Sequence, residues 1–407
     1  MRLKYGRKKM KILSINLWFE KYGHKTLAQL KGFSQFGYET YAATIIDKAG
    51  ALLCEIYRIT CAKEGEVQSS ITGNESSSCE IETTASVTIE KEAFGVAYFG
   101  AFRYLFDYAC DNDFDIVYFR RLMSKIAYAA PHFKHLSKHC SIVYEIPTFP
   151  FDVPTNRLYA LRDRLEMLIY RNCKKHISVT SCCLYQHGKP DDDWLLFENG
   201  IDIYNYTIHD VPPLDAPDST VNMLMIANMQ SWHRSERILH ALKDYAGTHK
   251  LHLIVASPES DEYRAMQKLA NELGVAEMID FNGFLPISKI NEIAENCHIA
   301  VGQLSGSEYG VMETHAIKHK DYCGLGLPMF STCTDTSFPD DYPYFYFIKD
   351  TDAPIDLDAI VKWYENIRDS HPGYRREMYD HAEKNLQYRG YVENILNRIE
   401  HHNSDYL

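Results

Sequence analysis

Glu313-Thr-His-Ala-Ile-Lys-His-Lys-Asp321, followed closely by Gly324-Leu-Gly326-Leu-Pro328-Met-Phe330, is the stretch from which the architecture can be read. Two carboxylates lie eight residues apart. The Gly-Leu-Gly-Leu-Pro run ends a helix and opens a short apolar strand, because Gly suits the C-terminal cap and Pro cannot continue the helix. Gly302, Gly306 and Gly310 mark a loop just upstream. The unit reads strand, loop, helix, strand, with the helix expected near 313–323. In such a helix eight residues rise about 12 Å with a net turn of about 80°. That is enough to hold both ends of an elongated ligand. Asp321 falls in the last turn, where the macrodipole disfavours a negative charge, whereas Glu313 sits where dipole compensation alone would place it.

The same alternation runs through the chain. Strands are expected near 12–17, 40–46, 115–119, 141–145, 176–180 and 195–198. Helices fall near 25–35, 91–110, 124–138 and 157–174. Residues 61–90, rich in Ser, Thr and Glu, read as a surface hairpin or loose insertion. Pro212, Pro213 and Pro217 mark a linker. A second series follows, with strands near 221–227, 250–256, 277–281, 298–303, 327–331 and 344–348. Its helices lie near 233–246, 260–273, 286–296, 313–323 and 356–371. The fold class expected is α/β, with two doubly wound Rossmann-like domains over 1–205 and 206–385 and a final helix over 386–407. Ligands of such sheets bind at the carboxyl ends of the strands.

Composition is ordinary for a globular protein, with 45% hydrophobic and 24% charged residues in 407. No apolar run of about 18 residues offers a membrane-spanning helix. Eleven cysteines, an odd number without a Cys-x-x-Cys pair, suit free thiols in a reducing cytoplasm. Residues 1–202 hold 26 Lys and Arg against 24 Asp and Glu, whereas residues 203–407 hold 17 against 31. That acidic balance argues against a nucleic-acid partner, and the near-neutral first half is the one able to approach an anionic lipid surface.

Glu-x7-Asp followed by Gly-Leu-Pro resembles the Glu-x7-Glu signature of retaining glycosyltransferases of family four, which have the GT-B fold. Other segments follow in the family's order. Lys11–Ile15 matches its opening strand and Asp115–Arg120 a middle strand of its first domain. Glu145-Ile-Pro-Thr-Phe-Pro-Phe-Asp152 is similar to a segment of the capsular and exopolysaccharide branch. Asn199–Asp202 resembles the interdomain motif, Trp232-His233 with Glu236-Arg237 the start of the second domain, and Pro354–Asp358 a late helix start. The resemblance implies two lobes facing across a cleft, with the last helix crossing back to the first. It also implies a metal-independent enzyme that uses a nucleotide-sugar as co-substrate and no cofactor. The implied acceptor is a saccharide or lipid-linked saccharide, and the place the cytoplasm, at the inner membrane face.

By that resemblance Glu313 contacts donor-sugar hydroxyls and Asp321 the ribose, with Asp one methylene shorter than the usual Glu. Lys318 fits either a diphosphate contact beside a helix N-terminus or an exposed helix face. His233 stands where a phosphate-clamping Lys usually falls, Arg234 replaces a Gly, and Asn228 or a neighbour occupies the clamping Arg position. Arg237 or Arg234 is then the candidate for the missing charge, and Gly310 belongs to the donor loop. Glu145, at a strand end before Pro147 and Pro150, either positions or deprotonates the acceptor hydroxyl, or satisfies loop amides. Tyr22, Gly23 and His24, read as a glycine-containing turn into a helix, lie on the implied acceptor side with Arg120. His315 and His319, at i and i+4, lack a His-Glu-x-x-His context for zinc, and Asp191–Asp193 reads as a solvated turn. Two alternatives remain open: a non-catalytic homologue serving as a partner subunit, and a nucleotide-sugar epimerase of the same fold.

Overall fold

The computed structural model describes residues 9–61, 79–91, 94–149, 157–184, 191–210, 214, 216, 219–305, 313–349 and 351–404. The chain divides into two compact units. Unit 1 comprises residues 1–72, 77–198 and 388–407, and unit 2 comprises 73–76 and 199–387.

Unit 1 runs β1 (Lys11–Ile15), α1 (Phe19–Gln35), β2 (Glu39–Lys48), β3 (Ala51–Cys61), β4 (Cys79–Glu90), α2 (Phe94–Asp111) and β5 (Ile116–Arg120). It continues with α3 (Ile126–Leu136), β6 (Ser141–Phe149), α4 (Arg157–Cys173), β7 (Val179–Leu184) and β8 (Leu195–Leu196). The sheet order is β4-β3-β2-β1-β5-β6-β7-β8. All pairings from β2 to β8 are parallel. β1 is buried on both faces from Ile12 to Ile15, as the centre of a covered parallel sheet requires. Core side chains above and below the sheet, such as Leu13 and Phe102 on one side and Ile12 and Val143 on the other, form two separate clusters.

Three expectations change here. β3 is absent from the expected strands, yet it pairs antiparallel with both β2 and β4 and widens the sheet. Its core-facing residues Leu52, Cys54 and Ile56 alternate, but Glu55, and Tyr57 and Arg58 just beyond, interrupt the apolar run. The 61–90 segment contributes β4, a strand of this sheet with a mostly exposed pattern, rather than a loose insertion; residues 62–78 lie outside the described residues. Helix α1 begins at Phe19, six residues earlier than expected, so Gly23 is helical and not part of a turn. The bend occurs instead at Asn16, whose Oδ1 accepts from the Trp18 amide at 3.0 Å.

Unit 2 runs β9 (Thr220–Ile226), α5 (Arg237–Asp244), β10 (Lys250–Ala256), α6 (Asp261–Leu273), β11 (Ile279–Phe281) and α7 (Ile287–Ala294). Then follow β12 (Ile299–Val301), α8 (Ile317–Gly324), β13 (Met329–Ser331), β14 (Phe345–Phe347), α9 (Leu357–Ser370) and α10 (Tyr374–Asn385). Its sheet, β11-β10-β9-β12-β13-β14, is wholly parallel and has the doubly wound order with a switch beside β9. Helix ends carry the expected chemistry. Ser260 and Asp356 cap α6 and α9 by accepting from the amides of Tyr263 and Ala359. Gly326, at φ +67°, ends α8 where a Cβ would meet Arg375 at 2.8 Å.

The chain then returns to unit 1 as α11 (Tyr388–Ser404), which packs on α1. There a Cβ on Gly32 would meet the Val392 side chain at 3.0 Å. Among the described residues no helix is long and apolar enough to cross a membrane.

Candidate functional site

In unit 2 the loops following β9 and β12 are laced together at the carboxyl end of the sheet. The Leu304 amide donates to the His233 carbonyl at 3.2 Å, and the Ser305 hydroxyl donates to the Trp232 carbonyl. Arg237 opens α5 and donates to the carbonyls of Leu304 at 2.8 Å and Ala353 at 2.6 Å. It braces the loop with its guanidinium, so the reading of Arg237 as a diphosphate contact is replaced by this bracing role. Arg234, held at φ +50°, pairs with Glu236. Asn228 is exposed just past β9, and Gly310 lies outside the described residues.

Lys318 is the group these loops surround. It lies in the first turn of α8, and its Nζ donates to the Gly302 carbonyl at 3.0 Å. Its side chain is half-buried, so the exposed-face reading does not hold. Burial pulls the ammonium down to about 8, and among the described residues no carboxylate pairs with it. His233 is its neighbour: burial, then the Lys318 charge, push that imidazole down to about 3, so it is neutral. The His233 Nδ1 is buried without a hydrogen-bond partner. Gly302 lets the end of β12 pass close to β13 and α8, since a Cβ there would lie 2.7 Å from the Phe330 carbonyl and 2.8 Å from His319. No side chain caps the N-terminus of α8. Among the described residues, a positive charge without a counter-ion, a helix start without a side-chain cap and an unpartnered imidazole nitrogen together favour an anionic ligand.

The two quoted carboxylates do not share a helix. α8 starts at Ile317, and Glu313 is extended, bridging to Thr334 while the Thr314 amide donates to the Thr334 carbonyl at 2.8 Å. β-Branched Thr314 and this short parallel bridge hold the segment out of the helix. Glu313 is 40% exposed, with His315 Nε2 at 3.3 Å from its Oε1. Asp321 sits mid-helix and accepts from the Tyr206 hydroxyl at 2.6 Å. Its second oxygen accepts nothing among the described residues. Burial, against the opposing Tyr206 bond and Lys320 charge, raises its carboxyl to about 7.

Sequence reasoning missed the anchor under this segment. Lys320 and Asp335 form a fully buried ion pair with both contacts at 2.7 Å, and His319 Nδ1 lies 3.0 Å from the same carboxylate. Lys320 alternates with Lys318 across the helix, a signal hidden because both look like surface lysines. His319 is thereby spoken for by Asp335.

Unit 1 has a second polar cluster. Glu145 is fully buried in the middle of β6, which runs on to Phe149 instead of ending near 145 as expected. Its Oε1 accepts from Lys25 at 3.0 Å and Arg120 at 2.7 Å, and its Oε2 from Gln29 at 2.8 Å and from Tyr118. Burial alone would raise its carboxyl, but Lys25 and Arg120 hold it down at about 2. A carboxylate with no exposed surface, four donors and that basicity is unsuited to deprotonate an acceptor. The reading of Glu145 as base, and that of loop amides as its partners, both give way to a side-chain anchor. Arg120 is likewise committed to this ion pair. Lys25, whose ammonium burial lowers to about 8, also stands 5.4 Å over the Phe197 ring. His24 is exposed on the same helix, Gly23 precedes it within the helix, and the Tyr22 side chain lies outside the described residues.

Elsewhere in unit 1, Cys110, His135 and His139 bring three ligating atoms within 4.8 Å of one another. Burial and the carboxylates of Asp107 and Asp111 raise the Cys110 thiol, which opposes the thiolate that a metal needs.

No family model matches the chain, and neither does any curated protein compared with it. Solved structures do match in fold. A glycosyltransferase from Rickettsia africae aligns with TM-score 0.60 and 11% identity over 97% of this chain and 99% of its own. Sucrose-phosphate synthase from Thermosynechococcus elongatus gives 0.60 and 11% over 96% and 99%. Anabaena HepE in complex with UDP-glucose gives 0.60 and 10% over 95% and 99%. The fold is therefore α/β with two Rossmann-like domains, the GT-B architecture of these glycosyltransferases.

Proposed function

We propose that the protein is a retaining glycosyltransferase that moves a sugar from a nucleotide-sugar donor to a saccharide or lipid-linked saccharide, in synthesis of a cell-surface polysaccharide. The observation that carries this reading is the Lys318 ammonium, half-buried beside the neutral His233 imidazole at the uncapped start of α8, with no carboxylate among the described residues to neutralise it. Structures of the same fold include one with UDP-glucose bound, which supports a uridine-type donor.

In this reading Lys318 and the first amides of α8 take the charge that builds on the departing diphosphate. Preorganised stabilisation of that kind usually contributes more to the rate than any other single effect. The unpartnered oxygen of Asp321 accepts from a ribose hydroxyl, while Tyr206 fixes the carboxylate's orientation. Glu313, partly exposed and held by its bridge to Thr334, accepts from sugar hydroxyls. The leaving phosphate oxygen takes the acceptor's proton as the sugar passes through an oxocarbenium-like state, so no enzyme nucleophile and no metal is required. The chain's own residues supply position and charge.

A second reading, the non-catalytic partner subunit, is favoured by one observation: Arg237 is occupied by carbonyls, which leaves a lean phosphate clamp. Transfer assays on the purified protein separate the two. Lys318→Met should lower transfer by about 10²-fold or more, the cost of losing one transition-state contact. It should also abolish the thermal shift produced by UDP. Absence of any shift with UDP, GDP or ADP in the wild-type protein would remove the donor site, and binding without turnover would favour the partner subunit. Conversion of the donor without an acceptor would identify an epimerase instead.

A further inference from the structure

Helix α4 carries an apolar stripe that the fold leaves uncovered. Leu158, Leu161, Leu165 and Leu168 are 75%, 54%, 50% and 57% exposed. With Tyr159 they are five of the eleven exposed large hydrophobic residues among those described. Their 3-4-3 spacing confines the four leucines to an arc of about 80° on a regular helix. Arg164 and Arg171, both exposed, flank one edge of the stripe. Exposed Lys175 continues that edge beyond the helix, and Lys134 of α3 is close enough that both lysine charges lower the His176 imidazole, after burial.

The acids of this helix face the other way. Glu166 is buried and takes both the Nε and Nη2 of Arg121, at 2.9 and 2.8 Å. Asp163 lies 3.2 Å from the same Nη2 and also pairs with Arg162. Arg171 reaches Asp191 only at 3.9 Å. The outward face is thus leucine and cation, with its carboxylates consumed by Arg121 beneath.

We propose that α4 is a membrane-docking helix, its leucine stripe entering the interface of an anionic lipid surface while Arg164, Arg171, Lys175 and Lys134 sit against headgroup phosphates. This goes beyond the transferase reading and stands on its own observations. The charge pattern selects the occupant. A helix lying in a lipid interface buries an apolar stripe and sets flanking cations against phosphate. The same leucine spacing would also serve a helix–helix seam. Pairing with a second copy, however, would bring the Arg164 and Arg171 edges of two such helices together while both acids of α4, Asp163 and Glu166, are turned inward to Arg121.

The test is co-sedimentation of the full chain with vesicles of three parts phosphatidylcholine to one part phosphatidylglycerol. The protein should bind these vesicles, with affinity falling as salt rises, and bind phosphatidylcholine alone at least about tenfold more weakly. Leu161→Ser with Leu165→Ser should lower binding at least about tenfold, and Arg164→Gln with Arg171→Gln about tenfold on the anionic vesicles only. Neither pair packs into the core, so both variants should retain the wild-type circular dichroism and nucleotide-induced thermal shift. That separates loss of docking from loss of the donor site. Wild-type protein left in the supernatant, or serine variants that bind as well as wild type, would overturn the proposal. So would a dimer in velocity sedimentation that the serine pair dissociates while vesicles fail to bind, which would assign the stripe to a second copy.

Discussion

Glu145 and Asp321 are both buried carboxylates, yet their surroundings drive them in opposite directions, and each makes a distinct statement about stability. Glu145 meets two cations and two neutral donors, and its carboxyl is held at about 2 against an ordinary 4.5. Its contribution is therefore fully present above about pH 4.5 and is lost as pH falls toward 2. Glu145→Gln leaves Lys25 and Arg120 buried without their counter-ion, which should cost about 3–5 kcal/mol at pH 7. The gap to wild type should narrow at pH 3, as read by urea denaturation. An unchanged midpoint together with lost transfer would return Glu145 to the chemistry. Asp321 meets one tyrosine hydroxyl, and burial raises it from 3.8 to about 7. The folded chain holds that proton longer than the unfolded one, so stability falls as pH rises from about 4 to about 7 and stays lowered above. Asp321→Asn keeps an acceptor for Tyr206 and should be more stable than wild type at pH 8 by about 1–2 kcal/mol, discounted for partial exposure, with no difference near pH 4. Equal stability at both pH values would show that the carboxylate is well solvated.

At the scale of elements, α11 joins the anchor of unit 1 to the end of the chain. Its Tyr391 hydroxyl lies 2.7 Å from Tyr118 and 2.8 Å from Ser181, and its ring stacks on Phe197 with centroids 4.3 Å apart. Because the Glu145 carboxylate only accepts, Tyr118 must donate to it, Tyr391 to Tyr118, and Ser181 to Tyr391. Tyr391→Phe breaks that relay at its middle and should cost about 1–2 kcal/mol in chemical denaturation. A loss within error would mean the relay closes through water. The elements that sequence foretells are those whose pattern is local. All six strands of unit 2 lie within a few residues of where apolar runs place them, because a doubly covered parallel strand is apolar on both faces. Helix starts are harder. At residues 19–24 and 313–316 the outcome depends on Asn16 and Thr334, partners that no local window ranks. The polar anchors are invisible for the same reason: Lys25 and Glu145 are 120 residues apart, and each reads by itself as an ordinary charged side chain.

For the whole molecule, the division into units makes the donor site separable in principle. Residues 199–387 are contiguous apart from a four-residue contribution at 73–76, have their own six-stranded sheet, and bury a single core from Ile201 to Leu386. The charge imbalance visible in the sequence falls here, with 15 basic against 29 acidic residues over 199–387, which favours solubility of the isolated piece. Unit 1 is discontinuous, and cutting the chain at 198 strips it of Tyr388, Val392 and Ile395, all buried. Expression of residues 199–387 alone should give a soluble protein with a cooperative thermal transition, whereas residues 1–198 alone should be poorly soluble. Every group assigned to the donor (Lys318, Asp321, Glu313, His233) lies in the shorter piece. A nucleotide at about 100 times its dissociation constant stabilises by about 2.7 kcal/mol, and a unit of this size gains roughly 2–4 °C per kcal/mol. The isolated unit should therefore keep a nucleotide-induced shift of several degrees, and Lys318→Met should erase it there as in the full chain. A folded fragment without that response, beside a full chain that has it, would mean that essential donor contacts come from outside residues 199–387.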